Sequence, residues 1–269
     1  MFRFTVGEAL RKGTLIFYFS ISTLILLLMA IGSAYSGNTS IGDASALTPE
    51  NQEAIVINIL IFLHSASSFW IIILGIVGIV GLIPSMLEKG TIDLFLSKPL
   101  NRLELLMARA LGAIAGIALN LLYFFAGIWL IFGLKLGVWQ WGFLSSVLYL
   151  IFAFVCLFSI STLAGLLTRS AGFSIIITLI YCVISWILEI RERGLFLFSD
   201  NVVYRYIVDG LYYITPQFNA MLSNSTLVIG KSPLNPYTAD FTYLPFVYSF
   251  FSTSLIYLLS IWYFSRQDY

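Results

Sequence analysis

Charge is what this chain has least of. Asp, Glu, Lys and Arg together make up 10% of it and apolar residues 59%, where a soluble domain is about one quarter charged and about half apolar. A soluble globular fold is thereby excluded. Net charge is +1 with no concentrated basic face, so nucleic acid is not a partner. Histidine is down to His64. A zinc protease needs two histidines close together and a metal site needs several ligands, so neither can be built on it. The two cysteines, Cys156 and Cys182, lie inside apolar runs; they read as buried thiols and give no disulfide framework. A serine hydrolase would have to pair a serine such as Ser174 with His64, and Gly172-Phe173-Ser174 lacks the flanking pattern. A phosphate loop is lacking too. Gly230-Lys231-Ser232 comes nearest, but Ser225 stands where the loop needs glycine and Pro233 blocks the helix that should follow. The chain is expected to be no enzyme, with no cofactor or metal of its own.

Long charge-free runs are what the sequence has instead: 13–42, 54–87, 110–134, 136–168, 170–188 and 241–265. A helix needs about 20 residues to cross the ~30 Å hydrocarbon layer, and every run is close to that length or longer. The sequence predicts a single all-α transmembrane domain over residues 1–269, with six transmembrane helices at about 14–35, 55–82, 102–133, 142–167, 171–189 and 243–264. A further run, 210–230, carries Pro216, Gln217, Asn219 and Asn224 and is rejected as a lipid-facing span. With both termini cytoplasmic, the inner segments hold Arg3, Arg11, Lys12, Lys89, Lys98, Arg102, Arg109, Arg169 and Arg266, against Lys135 alone on the two short outer loops.

Residues 1–12 space Phe2, Val6 and Leu10 helically among basic residues, predicting an amphipathic helix on the inner membrane face rather than a signal peptide. Asn38 and Asn224 head glycosylation sequons that read as chance matches. In the second span, Gly75, Gly78 and Gly81 predict close helix–helix approach, as do Ala108, Gly112 and Gly116 in the third. His64 is expected to hydrogen-bond inside the bundle or at the outer interface; lining a substrate path is its second reading. Trp129, Trp139 and Trp141 mark the outer interface. The large outer segment, 190–240, predicts a helix capped by Asp200. Val203, Ile207 and Leu211 share one face of it, resting on the outer interface, while Arg205 and Asp209 sit elsewhere at i, i+4.

The anomaly is residues 88–102, EKGTIDLFLSKPLNR, where Glu88, Lys89, Asp93, Lys98 and Arg102 gather between two charge-free spans. Pro84 and Pro99 bracket a stretch long enough for three to four helical turns and too polar to cross, with Leu87, Leu94 and Phe95 able to share a face. Asn101 and Glu104 then form an N-cap pair for the third span. On residues alone this is either a solvated inner loop or a docking surface. The acidic-basic pair, Gly90-Thr91, Ile92-Asp93-Leu94, and Pro99 followed by Arg102 resemble the cytoplasmic segment of type-2 ABC transporter permeases. The six-span layout, the N-terminal helix and the large outer segment before the last span are similar as well.

The resemblance implies a coupling helix between spans two and three that docks on a separate ABC ATPase subunit. The docking surface would be Glu88, Lys89, Gly90, Thr91, Asp93 and Leu94, closed by Arg102, with residues 1–12 and Thr168, Arg169 and Ser170 as secondary contacts. It further implies a permease subunit of an ATP-driven exporter in a bacterial or archaeal plasma membrane, working as a homo- or heterodimer. ATP and Mg would be held by the partner, and accessory periplasmic or membrane proteins could join. Scarce charge in the spans favours a lipid-like or apolar cargo over a small ion. A self-standing channel or carrier is the alternative; the inverted repeats expected of one are not visible between residues 1–135 and 136–269.

Overall fold

The computed structural model describes residues 14–35, 49–87, 102–197, 201–230 and 241–267. Every element among them is helical. α1 is Thr14–Tyr35, α2 Pro49–Ile79, α3 the single turn Leu82–Ser85, α4 Arg102–Leu136, α5 Trp141–Thr168 and α6 Ala171–Glu189. A 3-10 turn, Leu195–Leu197, leads into α7, Val202–Ile214, and α8, Phe218–Leu227, before α9, Leu244–Arg266. Six segments among the described residues are long and apolar enough to cross a bilayer: Leu15–Gly32, Glu53–Ser85, Leu103–Leu136, Trp141–Thr168, Ala171–Glu189 and Leu244–Arg266. The chain is a multi-pass, all-α integral membrane protein, and these segments fall within a few residues of the six predicted spans. The amphipathic helix at residues 1–12 and the stretch 88–101 lie outside the described residues.

The second span departs most from expectation. It begins at Pro49 rather than near 55, because proline is tolerated in a first turn whose N–H groups have no partner within the helix. It also ends before Pro84, at Ile79. A break at Val80 and Gly81 restarts the chain as α3, where Pro84 again falls in a first turn. Of its three glycines, only Gly75 sits at a close approach, where a Cβ would come 3.2 Å from Ile117; at Gly78 nothing lies within 4 Å, and Gly81 is 3.8 Å from Ala171. α2 ends at Ile79, so Gly81 lies past the helix that carries Gly75 and Gly78 and the three do not form one helical face.

α5 is the axis of the bundle. It carries no charged residue, is apolar on all sides, and packs against α2, α3, α4, α6, α8 and α9. A helix hydrophobic all round belongs in the core, and Phe143, Leu150, Phe154, Leu157 and Phe158 are all fully buried. α1 is the least enclosed span, held by a narrow seam. Leu15 fills the space over Gly116, the Tyr18 hydroxyl donates to Ile71 O at 2.7 Å, the Ser22 hydroxyl donates to Asn120 Oδ1 at 3.0 Å, and Leu26 covers Gly127. A Cβ at Gly127 would fall 2.6 Å from Leu26 Cδ1. Gly127→Val is therefore expected to destabilise the bundle by about 2 kcal/mol through overpacking. Leu26→Ala in the same chain should recover part of that loss, since the two changes share one contact. Unfolding in detergent measures both; additive losses would show that the seam does not depend on this fit.

Candidate functional site

With the basic-rich end of the bundle taken as inner, the described chain enters the 88–101 stretch from α3 and leaves it into α4. Both mounts are firm. Leu82, Ile83, Met86 and Leu87 are buried on the near side and Leu105, Leu106, Arg109 and Ala110 on the far side. Pro84 packs against Gly165, where a Cβ would meet its ring at 3.4 Å, and Gly81 faces Ala171. These contacts set α3 against the end of α5 and the start of α6, which flank the turn Thr168, Arg169 and Ser170. That turn is itself fixed. Arg169 adopts the left-handed conformation (φ 52°) that closes α5, its N–H donates to Gly165 O at 3.0 Å, and its Nη2 donates to Gln267 Oε1 at 2.6 Å. Of the residues in the proposed docking surface, Arg102 opens α4, while Glu88, Lys89, Gly90, Thr91, Asp93 and Leu94 lie outside the described residues. Arg109, in the second turn of α4, is fully buried although it carries a charge. The inner-face arginine count did not anticipate that.

His64 sits in the outer half, completely enclosed. Its Nε2 lies 2.9 Å from Ser225 Oγ on α8 and its Nδ1 3.2 Å from Ser146 Oγ on α5, with the Phe125 and Phe143 rings against its sides. Each serine hydroxyl is also 2.7 Å from a carbonyl of its own helix, Phe143 O for Ser146 and Leu222 O for Ser225. Those are four contacts, whereas two hydroxyls and a neutral imidazole bring three protons between them. One serine therefore turns its proton to the ring while the other keeps its carbonyl, and the imidazole joins α2, α5 and α8. Ser174, the serine considered for a dyad, instead donates to Ser161 O at 2.6 Å. His64 thus hydrogen-bonds inside the bundle as expected.

α8 is the element that sequence reasoning missed. The polarity of 210–230 correctly rules out a lipid-facing span, but polar residues can go inside the bundle when each finds a partner. Here the partners are present. The Tyr181 hydroxyl donates to Pro216 O, the Gln217 N–H to Ser249 Oγ at 2.8 Å, and Asn219 Nδ2 to Cys182 O at 3.2 Å. Cys182 is seven residues from the outer end of α6, so α8 reaches about 10 Å below that end. At its far end Gln140 Nε2 donates to Ile229 O, and Gly142 lies so close that a Cβ would stand 2.4 Å from Val228 O. The signal was available: Phe218, Met221, Ser225 and Ile229 are buried at helical spacing.

α7 lies outside this re-entrant turn. Asn201, rather than Asp200, caps it, with Oδ1 accepting from Val203 N at 3.0 Å. Val203, Ile207 and Leu211 share an exposed face, as a helix on the outer interface requires, and Val208 is its buried residue. Asp209 pairs with Arg191 at 2.7 Å, and that guanidinium stacks 3.7 Å over Tyr212. Arg191, just past the end of α6, thereby binds α7 to the bundle. Burial lowers the Arg191 guanidinium's affinity for its proton, yet the Asp209 hydrogen bond and the electrostatic attraction of Tyr212, Asp209 and Tyr213 together outweigh this, and its pKa stands above the ordinary value. Burial likewise pushes the Tyr212 phenol up against the opposing pull of Arg191.

No protein-family model matches the chain, and no curated protein matches it closely enough to count as a relative.

Proposed function

We propose that this chain is the membrane subunit of an ATP-driven exporter of the type-2 ABC class, passive by itself and moved by a separate ATPase. The observation that carries the reading is the segment EKGTIDLFLSKPLNR at residues 88–102, a charged motif between spans two and three of a six-span chain. The mounts of that segment support it. A lever must transmit force without bending, and both its ends run into buried side chains, with α3 packed next to the turn between α5 and α6. The motif offers an apolar anchor, Leu94, within a rim of Glu88, Lys89, Asp93 and Arg102, the usual composition of a docking surface. Two such subunits enclose the path, and ATP and Mg belong to the partner. α7 and α8 cover the outer end of each bundle, so export requires that cover to move.

Purification from native membranes in mild detergent is the direct test. An ATPase subunit is expected to accompany the chain in a one-to-one ratio. A chain that arrives without any ATPase, yet conducts or exchanges solute when reconstituted alone, would overturn the exporter reading in favour of a channel or carrier.

A further inference from the structure

Below the inner end of the re-entrant turn, hydrogen-bond donors outnumber acceptors. The Gln217 N–H at the start of α8 donates to Ser249 Oγ on α9 at 2.8 Å, and the Asn219 N–H to Ser185 Oγ on α6 at 3.5 Å. Both hydroxyls accept, and their own protons meet no acceptor among the described residues. One turn below Ser249, the Thr253 hydroxyl is buried without a partner among the described residues, and so is the Tyr257 hydroxyl of the next turn. Thr253 is 6% exposed. The Tyr257 ring leans back toward the start of its helix, as long helical side chains do, and so toward Thr253. The Cys156 thiol of α5 lies beside Thr253, but sulfur is a weak acceptor. Cys156 is also within electrostatic reach of Tyr257 and of Tyr181, whose hydroxyl ends at Pro216 O. These groups share one interior volume under the first turn of α8. Other hydroxyls on α9 behave differently. Ser252, Ser254 and Ser260 each donate to the carbonyl four residues back, a bond open to any helical serine or threonine. Ser249 and Thr253 forgo it.

We infer that this volume binds one monovalent anion of the halide class, held by the Ser249, Thr253 and Tyr257 hydroxyls below the N-terminus of α8. A helix N-terminus carries partial positive charge, and this one is turned into the bundle. α5, α8 and α9 carry no carboxylate, and the one on α6, Glu189, stands at its outer end. Water does not correct the imbalance. It accepts two bonds but brings two further protons, and Pro216 O already accepts from Tyr181 and from the Phe218 N–H. A halide only accepts. Sulfate or phosphate asks for arginine or lysine, and these four helices have only Arg266, at the inner end of α9. The site lies within one chain and does not depend on the exporter reading. An anion in it pins the start of α8 to α9.

Melting of the purified full-length chain in detergent, in potassium chloride and in potassium gluconate of equal ionic strength, tests the site. Chloride at about 100 mM is expected to raise the midpoint by about 3 °C through binding to the folded chain, and gluconate is too large to replace it. Thr253→Val and Tyr257→Phe keep the side-chain shape and remove the hydroxyl. Each is expected to cut the chloride shift to less than about 1 °C. In gluconate neither should melt earlier than the wild type, since each deletes a buried hydroxyl that lacks a partner. Ser252→Ala, whose hydroxyl is spent on Tyr248 O, should keep the full shift. Identical melting of the wild type in the two salts overturns the site, as does a chloride shift that survives in both hydroxyl variants. Variants that melt earlier by the same amount in both salts overturn it too, because the hydroxyls then hold water or serve the fold.

Discussion

On the proposed exporter reading, reversing Glu88 and Asp93 together to lysine is expected to lower the affinity between the bundle and a partner ATPase by about 100-fold, roughly 3 kcal/mol. The expectation follows from where the charges lie. Glu88 and Asp93 are the two acidic groups between Leu87 and Arg102, so their reversal leaves Lys89 and Lys98 among new positive charges and removes every carboxylate from that stretch. An interface selected for complementary potential loses attraction and gains repulsion, and a charge at a polar rim acts on the encounter as well as on the bound state. The bundle itself should not notice. Leu82, Ile83 and Met86 before the stretch, and Leu105 and Leu106 after it, are buried in the apolar core of the bundle. The measurement is ATPase retained by the immobilised permease at several salt concentrations, alongside its melting in detergent. Coupled ATP hydrolysis at the wild-type rate would mean that docking occurs elsewhere; a lowered melting point would mean that the charges serve the fold.

The spans were legible because their signal is a bulk property. An apolar, charge-free run of about 20 residues that crosses lipid must be helical, because lipid offers its backbone groups no other partner. Boundaries shifted only where local backbone chemistry decides, as at Pro49 and Pro84. The outer segment was legible only in part, because the polarity that argues against a lipid-facing helix is equally the mark of a helix inside a bundle. What separates the two is the set of partners: Ser249, His64, Gln140, the Tyr181 hydroxyl and the carbonyl of Cys182 come from four other parts of the chain. No window of sequence contains them together. His64 illustrates the same limit. Its residue type and its neighbours in sequence announced a buried, hydrogen-bonded ring, but its role as a three-way joint depends on Ser225, 161 positions away.

That joint makes a second large effect predictable. His64→Ala is expected to loosen α8 by about 3 kcal/mol, because it opens a cavity between Phe125, Phe143 and Ser225 where no side chain can follow. The two serines suffer little, since each can return its proton to its own carbonyl. The loss is therefore mainly one of packing, and His64→Phe, which refills the space without the hydrogen bonds, should weaken α8 by only about 0.6 kcal/mol, the average for an interhelical hydrogen bond in a membrane. A cysteine at Met221, fully buried on α8, reports the motion, since a small thiol reagent reaches it only when α8 lifts. Labelling should accelerate about 100-fold with His64→Ala and about threefold with His64→Phe. Equal acceleration by the two would assign the hold to the hydrogen bonds instead of the packing. Unchanged labelling in both would show that Asn219, Gln217 and Tyr181 secure α8 without His64. If the outer cover moves during export, transport should respond in the same order as labelling, with the alanine variant the more strongly altered.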